Sequence, residues 1–292
     1  MRSHLFTWFA AVVLAASSTA AAHAAADAAL RDRPAPAPIR ASKIILVGDS
    51  TTAVQGGWGP AFCGAHVTSF AACLNLARGG RSTYNYRAEG SWDLVEAEMR
   101  TPGYARTWVL IQFGHNDQPG KPGRSTDLQH EFPDNLRRYV AQVRAAGAEP
   151  VLLTPLTRRQ FAGGALIDDL GPWAQAVRAV AAELGVPLVD LHARSRALVQ
   201  AQGPVAAMRM AQMPASQAQV VAALDGTTVG AAPAPGAPAA TPQNHATAEP
   251  MGQAKRAFDY THLGEEGAAT FASIVAAELA SEVPGMRALL LP

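Results

Sequence analysis

The sequence predicts an α/β protein, a three-layer α/β/α arrangement around a doubly wound parallel sheet. Short apolar runs recur without polar alternation at Ile44 to Val47, Leu74 to Leu76, Trp108 to Phe113, Val151 to Thr154 and Pro187 to Leu191. Such runs mark strands buried on both faces. Segments of helical period stand between them, the order that a parallel sheet with crossover helices requires. In such sheets ligands bind beyond the C-terminal ends of the strands.

In chain order, Arg2, the apolar stretch from Leu5 to Ala16 and the small-x-small sequence Ala22-His23-Ala24 read as an export signal, residues 1–24, removed near Ala24. The stretch falls short of the roughly 20 residues that span a bilayer, so no membrane association is expected after cleavage, and the location is secreted or periplasmic. Residues 25–42, rich in Ala and Pro, read as a flexible lead-in. A single domain then covers 43–292.

Three helices can be placed from their patterns. Phe132, Leu136, Tyr139, Val140 and Val143 share a face of a helix from Pro133 to Ala146, which Gly147 can end. Leu170, Trp173, Val177, Val180 and Leu184 form the stripe of a second, from near Asp169, closed by Gly185 and Pro187. A third starts at Gly264 or Glu265 and buries Phe271, Ile274, Val275 and Leu279, with Glu265 and Glu266 at its positive end. About residues 200–250 the rhythm breaks. An Ala, Gln and Met segment reaches Leu224, its Met208, Met210 and Met213 either covering a cleft or filling gaps in a short packed helix. From Gly226 to Pro250 the composition predicts a flexible excursion.

Of the 292 residues, 49% are hydrophobic and 16% charged, and the formal net charge is +1. Those values describe a globular protein and argue against a nucleic-acid partner held by bulk electrostatics. Cys63 and Cys73 are the only two cysteines. An even count in an exported chain favours a disulfide over two buried thiols, and no metal site is expected, since neither has a Cys or His pair at zinc spacing.

Gly48-Asp49-Ser50, Gly114-His115-Asn116-Asp117 and Asp259-Tyr260-Thr261-His262 offer the parts of a serine hydrolase. A serine hydroxyl attacks an ester only when a base accepts its proton, and imidazole suits that task. Ser50 and His262 are the candidate pair, with Asp259, three residues back, orienting the ring. Ester attack also needs donors aimed at the oxyanion. The N–H groups of Ser50 and Gly80 and the amide of Asn116 are the candidates, Gly80 because a residue without Cβ permits close approach. Each tripeptide alone is an ordinary turn sequence; their order and their placement after strands and before a helix carry the signal. His115 could touch substrate or support its loop, and His192 reads as structural because no Asp stands behind it at comparable spacing.

These blocks, with Gly57-Trp58-Gly59, Gly80-Arg81-Ser82, Glu89-Gly90-Ser91-Trp92 and Thr154-Pro155-Leu156-Thr157-Arg158-Arg159, resemble the SGNH or GDSL hydrolases in their rhamnogalacturonan acetylesterase branch. The resemblance covers about Lys43 to Leu198 and Phe258 to Leu279. It implies a flavodoxin-like sheet and a secreted carbohydrate esterase without cofactor or metal. Its implied substrate is acetylated plant cell-wall polysaccharide, and its implied site is Ser50, Gly80, Asn116, Asp259 and His262. The insertion before Asp259 departs from the compact family pattern. Arg81, Arg158 and Arg159 could bind uronate carboxylates or form ion pairs, and Trp58 and Trp92 could stack on sugars or pack. Competing readings are a lipase, arylesterase or thioesterase acting on acyl chains, a glycan O-acetyltransferase using the same acyl-serine, and a non-catalytic glycan binder.

Overall fold

The computed structural model describes residues 37–228 and 256–292. Contacts divide the chain into Met1–Ile39 and Arg40–Pro292, and the fold lies in the second unit. The export signal, most of the lead-in and all of the Gly226 to Pro250 excursion beyond Thr228 fall outside the described residues.

Five apolar segments form the sheet: β1 (Ser42–Gly48), β2 (Ala71–Asn75), β3 (Thr107–Gln112), β4 (Glu149–Leu153) and, after a hairpin of β5 (Phe161–Ala162) and β6 (Ala165–Leu166), β7 (Leu188–Val189). Their spatial order is β2-β1-β3-β4-β7, and all pairings are parallel. Successive side chains of a strand point to opposite faces, and here both faces are apolar. Ile44, Leu46, Trp108, Leu110, Val151 and Leu153 share one core cluster with Phe271, Val275 and Leu279. Ile45, Val47, Val109, Ile111 and Leu152 share the other with Leu136, Tyr139, Val140, Val177 and Val180.

Those partners come from α2 (Glu131–Ala145), α3 (Gly171–Leu184) and α6 (Glu265–Glu282); the fold also holds α1 (Ser91–Met99), α4 (Leu191–Ala207) and α5 (Gln217–Leu224). Gly185 ends α3 in the left-handed conformation, φ 58°, as a C-terminal glycine does without a Cβ penalty. The Met-bearing segment forms a short 3-10 turn, Met208–Met210. Met208 and Met210 are buried while Met213 is exposed, so it packs on the domain. Trp58 and Trp92 are also buried and serve packing rather than sugar stacking.

Sheet order fixes where the site lies. The chain leaves β1 toward β2 on one side and reaches β3 on the other, so a crevice opens where the winding reverses, between the C-terminal ends of β1 and β3. Ser50 stands two residues past β1 and Asn116 four past β3.

Candidate active site

Ser50 sits in a tight turn closed by the N–H groups of Thr52 and Ala53, which donate to Asp49 O at 3.2 and 3.0 Å. Asp49 is fully buried and its Oδ1 accepts from the N–H and the hydroxyl of Thr51, both at 2.8 Å. Gln112 braces the loop that follows. Its Oε1 accepts from Thr52 Oγ1 at 2.5 Å and Trp58 Nε1 at 2.9 Å, while its Nε2 donates to Thr154 O at 3.2 Å. The Ser50 turn is thereby tied to the ends of three adjacent strands.

His262 lies on the turn before α6. Its Nδ1 is 2.6 Å from Asp259 Oδ2, and Asp259 Oδ1 accepts from the N–H groups of Thr261 and His262, each at 2.7 Å. Burial alone would raise the Asp259 carboxyl; the bond and charge of His262 and the two backbone donors outweigh it and hold the group at about 2. An ionised carboxylate only accepts, so Nδ1 carries the proton and Nε2 is left to act as a base. The turn is fastened to the Ser50 loop: Leu263 N donates to Gly56 O at 2.8 Å. A Cβ placed on Gly56, φ +91°, would lie 3.4 Å from Cβ and Cδ2 of His262. No hydrogen bond joins Ser50 Oγ to His262 among the described residues, and such bonds commonly tighten only when substrate is bound.

The donor side is assembled from two loops. Asn116 Nδ2 donates to Arg81 O at 3.0 Å, which leaves its second amide hydrogen available. Gly80 adopts φ +76°, a conformation that glycine takes without penalty. Asp117 joins the loops, its Oδ1 accepting from Thr83 N at 3.0 Å and Thr83 Oγ1 at 2.6 Å. Arg124, which the sequence did not single out, donates from Nη1 to Asn116 Oδ1 and to Gly80 O, both at 3.3 Å.

The structure thus brings Ser50, Gly80, Asn116, Asp259 and His262 to one edge of the sheet. It puts three of the four suggested substrate contacts elsewhere. His115 is 2% exposed, with Nδ1 3.3 Å from Asp49 Oδ2 in poor alignment for a hydrogen bond, so it backs the nucleophile turn. Burial, with the Arg158 and Lys121 cations, lowers its pKa against the pull of Asp49. Arg81 is 3% exposed and pairs with Glu89 at 2.7 Å. Arg159 is 1% exposed and its guanidinium is taken up by backbone carbonyls. Arg158 pairs with Asp169 and lines a pocket of about 270 Å³ with Gln160, Gln219, Phe258, Asp259 and Tyr260. Lys121 donates to His115 O at 2.6 Å; burial, then the Arg158 and Arg124 cations, brings its ammonium down to about 8.

His192 is a buried, satisfied residue, as its sequence context suggests, and forms a second His-Asp pair: its Nε2 is 2.9 Å from Asp168 Oδ1, supplied by a distant loop. The Ser195 hydroxyl nearby donates to His192 O at 3.2 Å. Cys63 and Cys73 are joined in a disulfide. Among the described residues no cluster of His, Cys, Asp or Glu could hold a metal ion, and no helix is long and apolar enough to cross a membrane.

The chain matches the GDSL-like Lipase/Acylhydrolase family over residues 46–270. It belongs to that family. This GDSL-family chain is therefore a carboxylic ester hydrolase. It is 37% identical over 176 residues to rhamnogalacturonan acetylesterase RhgT of Bacillus subtilis, covering 58% of this chain and 72% of that protein. It is 34% identical over 174 residues to YesY of the same organism, named a probable rhamnogalacturonan acetylesterase, covering 56% and 76%. The crystal structure of protein YxiM from Bacillus subtilis superimposes with a TM-score of 0.57 at 21% identity, over 84% of this chain and 57% of that larger one, a likeness of fold.

Proposed function

We propose that this esterase removes O-acetyl groups from an acetylated, acidic plant polysaccharide of the rhamnogalacturonan type, outside the cytoplasm, through an acetyl-serine intermediate. The observation that carries the mechanism is the Asp259–His262 bond of 2.6 Å on a turn fastened to the Ser50 loop through Gly56. The two relatives named as rhamnogalacturonan acetylesterases support the substrate. Lys121, Arg124 and Arg158 add to that support, since they place positive charge around the Asn116 loop, which favours a uronate-bearing chain.

In this mechanism Nε2 of His262 takes the Ser50 hydroxyl proton as Oγ attacks the acetyl carbonyl carbon. The resulting oxyanion receives the N–H groups of Ser50 and Gly80 and the Nδ2–H of Asn116. His262 returns its proton to the departing sugar oxygen, and the C–O bond to the glycan breaks. A water molecule, deprotonated by the same ring, attacks the acetyl carbonyl carbon; the bond to Ser50 Oγ breaks, the imidazolium returns its proton to Oγ, and acetate leaves. Asp259 stays ionised throughout and stabilises the imidazolium.

Acetate release from acetylated rhamnogalacturonan, acetylated xylan and nitrophenyl esters of increasing chain length tests the proposal. The pectic substrate is expected to be preferred, and Ser50→Ala to lose about 10⁴-fold or more of kcat with binding retained. A preference for long acyl chains would refute the substrate; an active Ser50→Ala variant would refute the mechanism.

A further inference from the structure

Four consecutive carbonyls of the His262 turn accept hydrogen bonds from one residue. Arg159 N donates to Tyr260 O at 2.8 Å. Its Nη2 donates to Asp259 O at 3.1 Å and His262 O at 2.8 Å, and its Nη1 to Thr261 O at 3.3 Å. The turn's N–H groups of Thr261 and His262 go instead to the Asp259 carboxylate. The segment is not a helix or a strand and has no ladder of its own. Arg159 takes its carbonyls, Asp259 takes its N–H groups, and Gly56 receives the N–H of the next residue, Leu263.

We propose that Arg159 is a positioning residue for the general base, holding the Asp259–His262 turn at the reach of Ser50 from beneath rather than meeting substrate. The inference rests on the serine-esterase reading of this site. A guanidinium presents several N–H groups in a rigid plane, which lets one side chain serve three carbonyls that point to a common centre. Burial pushes the Arg159 guanidinium down to about 10, with the Asp259 charge opposing, so it stays a cation at neutral pH. Its place just past β4 ties the base turn to the sheet that also carries the nucleophile and the Asn116 loop. Without Arg159 the turn's carbonyls would be left unpaired and the turn held to the Ser50 loop by the Leu263–Gly56 bond, and a displacement of an ångström at the reacting groups suffices to cost about 10²-fold in rate.

The test compares wild type with Arg159→Gln and Arg159→Lys on nitrophenyl acetate and on acetylated rhamnogalacturonan, with folding checked by circular dichroism and Tm. A residue that binds uronate would change KM on the polysaccharide alone. A positioning residue lowers kcat on both substrates, by about 10²-fold for Arg159→Gln, with KM for nitrophenyl acetate little altered and Arg159→Lys less affected. The rate at which an organophosphate labels Ser50 falls in parallel, and millimolar guanidinium partly restores it in Arg159→Ala. Wild-type kcat in a folded Arg159→Gln, or a loss confined to KM on the polysaccharide, overturns the inference; if Arg159→Gln unfolds, the labelling rate of Arg159→Lys decides, an undiminished rate overturning it. Labelling of Ser50 does not depend on which ester is the natural substrate, so a wrong substrate leaves this test standing. A wild type that is never labelled at Ser50 would instead sink the serine mechanism.

Discussion

The Arg124 guanidinium donates to the side-chain oxygen of Asn116 at 3.3 Å, and the same nitrogen reaches Gly80 O at 3.3 Å. An amide side chain can flip, exchanging its oxygen for its nitrogen. With Arg124 a donor on one side and Arg81 O an acceptor on the other, only one orientation of Asn116 satisfies both, the one in which Nδ2 keeps a second hydrogen for the proposed oxyanion. Asn116→Ala is expected to lower kcat by about 10²-fold. Arg124→Met should lower it by a smaller factor, and the double variant should be no worse than Asn116→Ala alone, because the arginine acts through the asparagine. Additive losses in kcat would show that Arg124 works on substrate directly.

The Cys63–Cys73 disulfide joins residues ten apart, linking the turn that follows Trp58 to strand β2. Cross-linking a loop of that size removes chain entropy from the unfolded state equivalent to about 2 to 3 kcal/mol. For a domain of this length that corresponds to roughly 5 to 10 °C in Tm. Scanning calorimetry of Cys63→Ser/Cys73→Ser should show such a fall, and reductant should lower the wild-type Tm similarly while leaving the variant unmoved. Equal Tm values would mean that the bridge contributes nothing.

How far the sequence could be read follows from the kind of interaction involved. The central strands β1, β3 and β4 were legible because burial on both faces leaves uninterrupted apolar runs, the half-buried edge strands β2 and β7 because short apolar runs remain, and α2, α3 and α6 because their stripes end in Gly147, Gly185 or begin after Gly264. Each candidate block was legible as a motif because its residues are contiguous and stand on a turn after a strand or before a helix. The roles of Arg159, Arg124 and Gln112 were not. Their partners, carbonyls and an amide for the two arginines and a hydroxyl, an indole N–H and a carbonyl for Gln112, lie up to 103 residues away, and a backbone acceptor has no side-chain signature. Arginines look alike in sequence whether they face solvent or a buried turn, which is why substrate contact and ion pair stayed open for Arg81, now seen paired with Glu89, and why the backbone partners of Arg159 went unread. His192 was read as structural, and it is buried and paired; the identity of its partner was not legible, because Asp168 lies 24 residues away on a loop that no periodicity describes.

Asp117 predicts how stability should vary with pH. Its carboxyl is fully buried, with Oδ1 accepting from Thr83 N, Thr83 Oγ1 and Thr126 Oγ1 and Oδ2 without a partner among the described residues. Burial raises it to about 7 against the pull of those donors, with Asp49 adding to the rise, whereas the ordinary value is 3.8. Between those two values the folded chain binds a proton that the unfolded chain has lost, so stability from this group is full below about pH 4 and falls as pH rises to about 7. A shift of this size corresponds to at most about 4 kcal/mol, on the order of 10 °C in Tm. Asp117→Asn keeps an acceptor for Thr83 and Thr126 and removes the titration. The Tm difference between wild type and Asp117→Asn should therefore change across this range, the variant gaining relative to wild type as pH rises. Thermal melts at intervals from pH 4 to pH 8 measure it, and parallel curves would show that the buried carboxyl does not hold its proton.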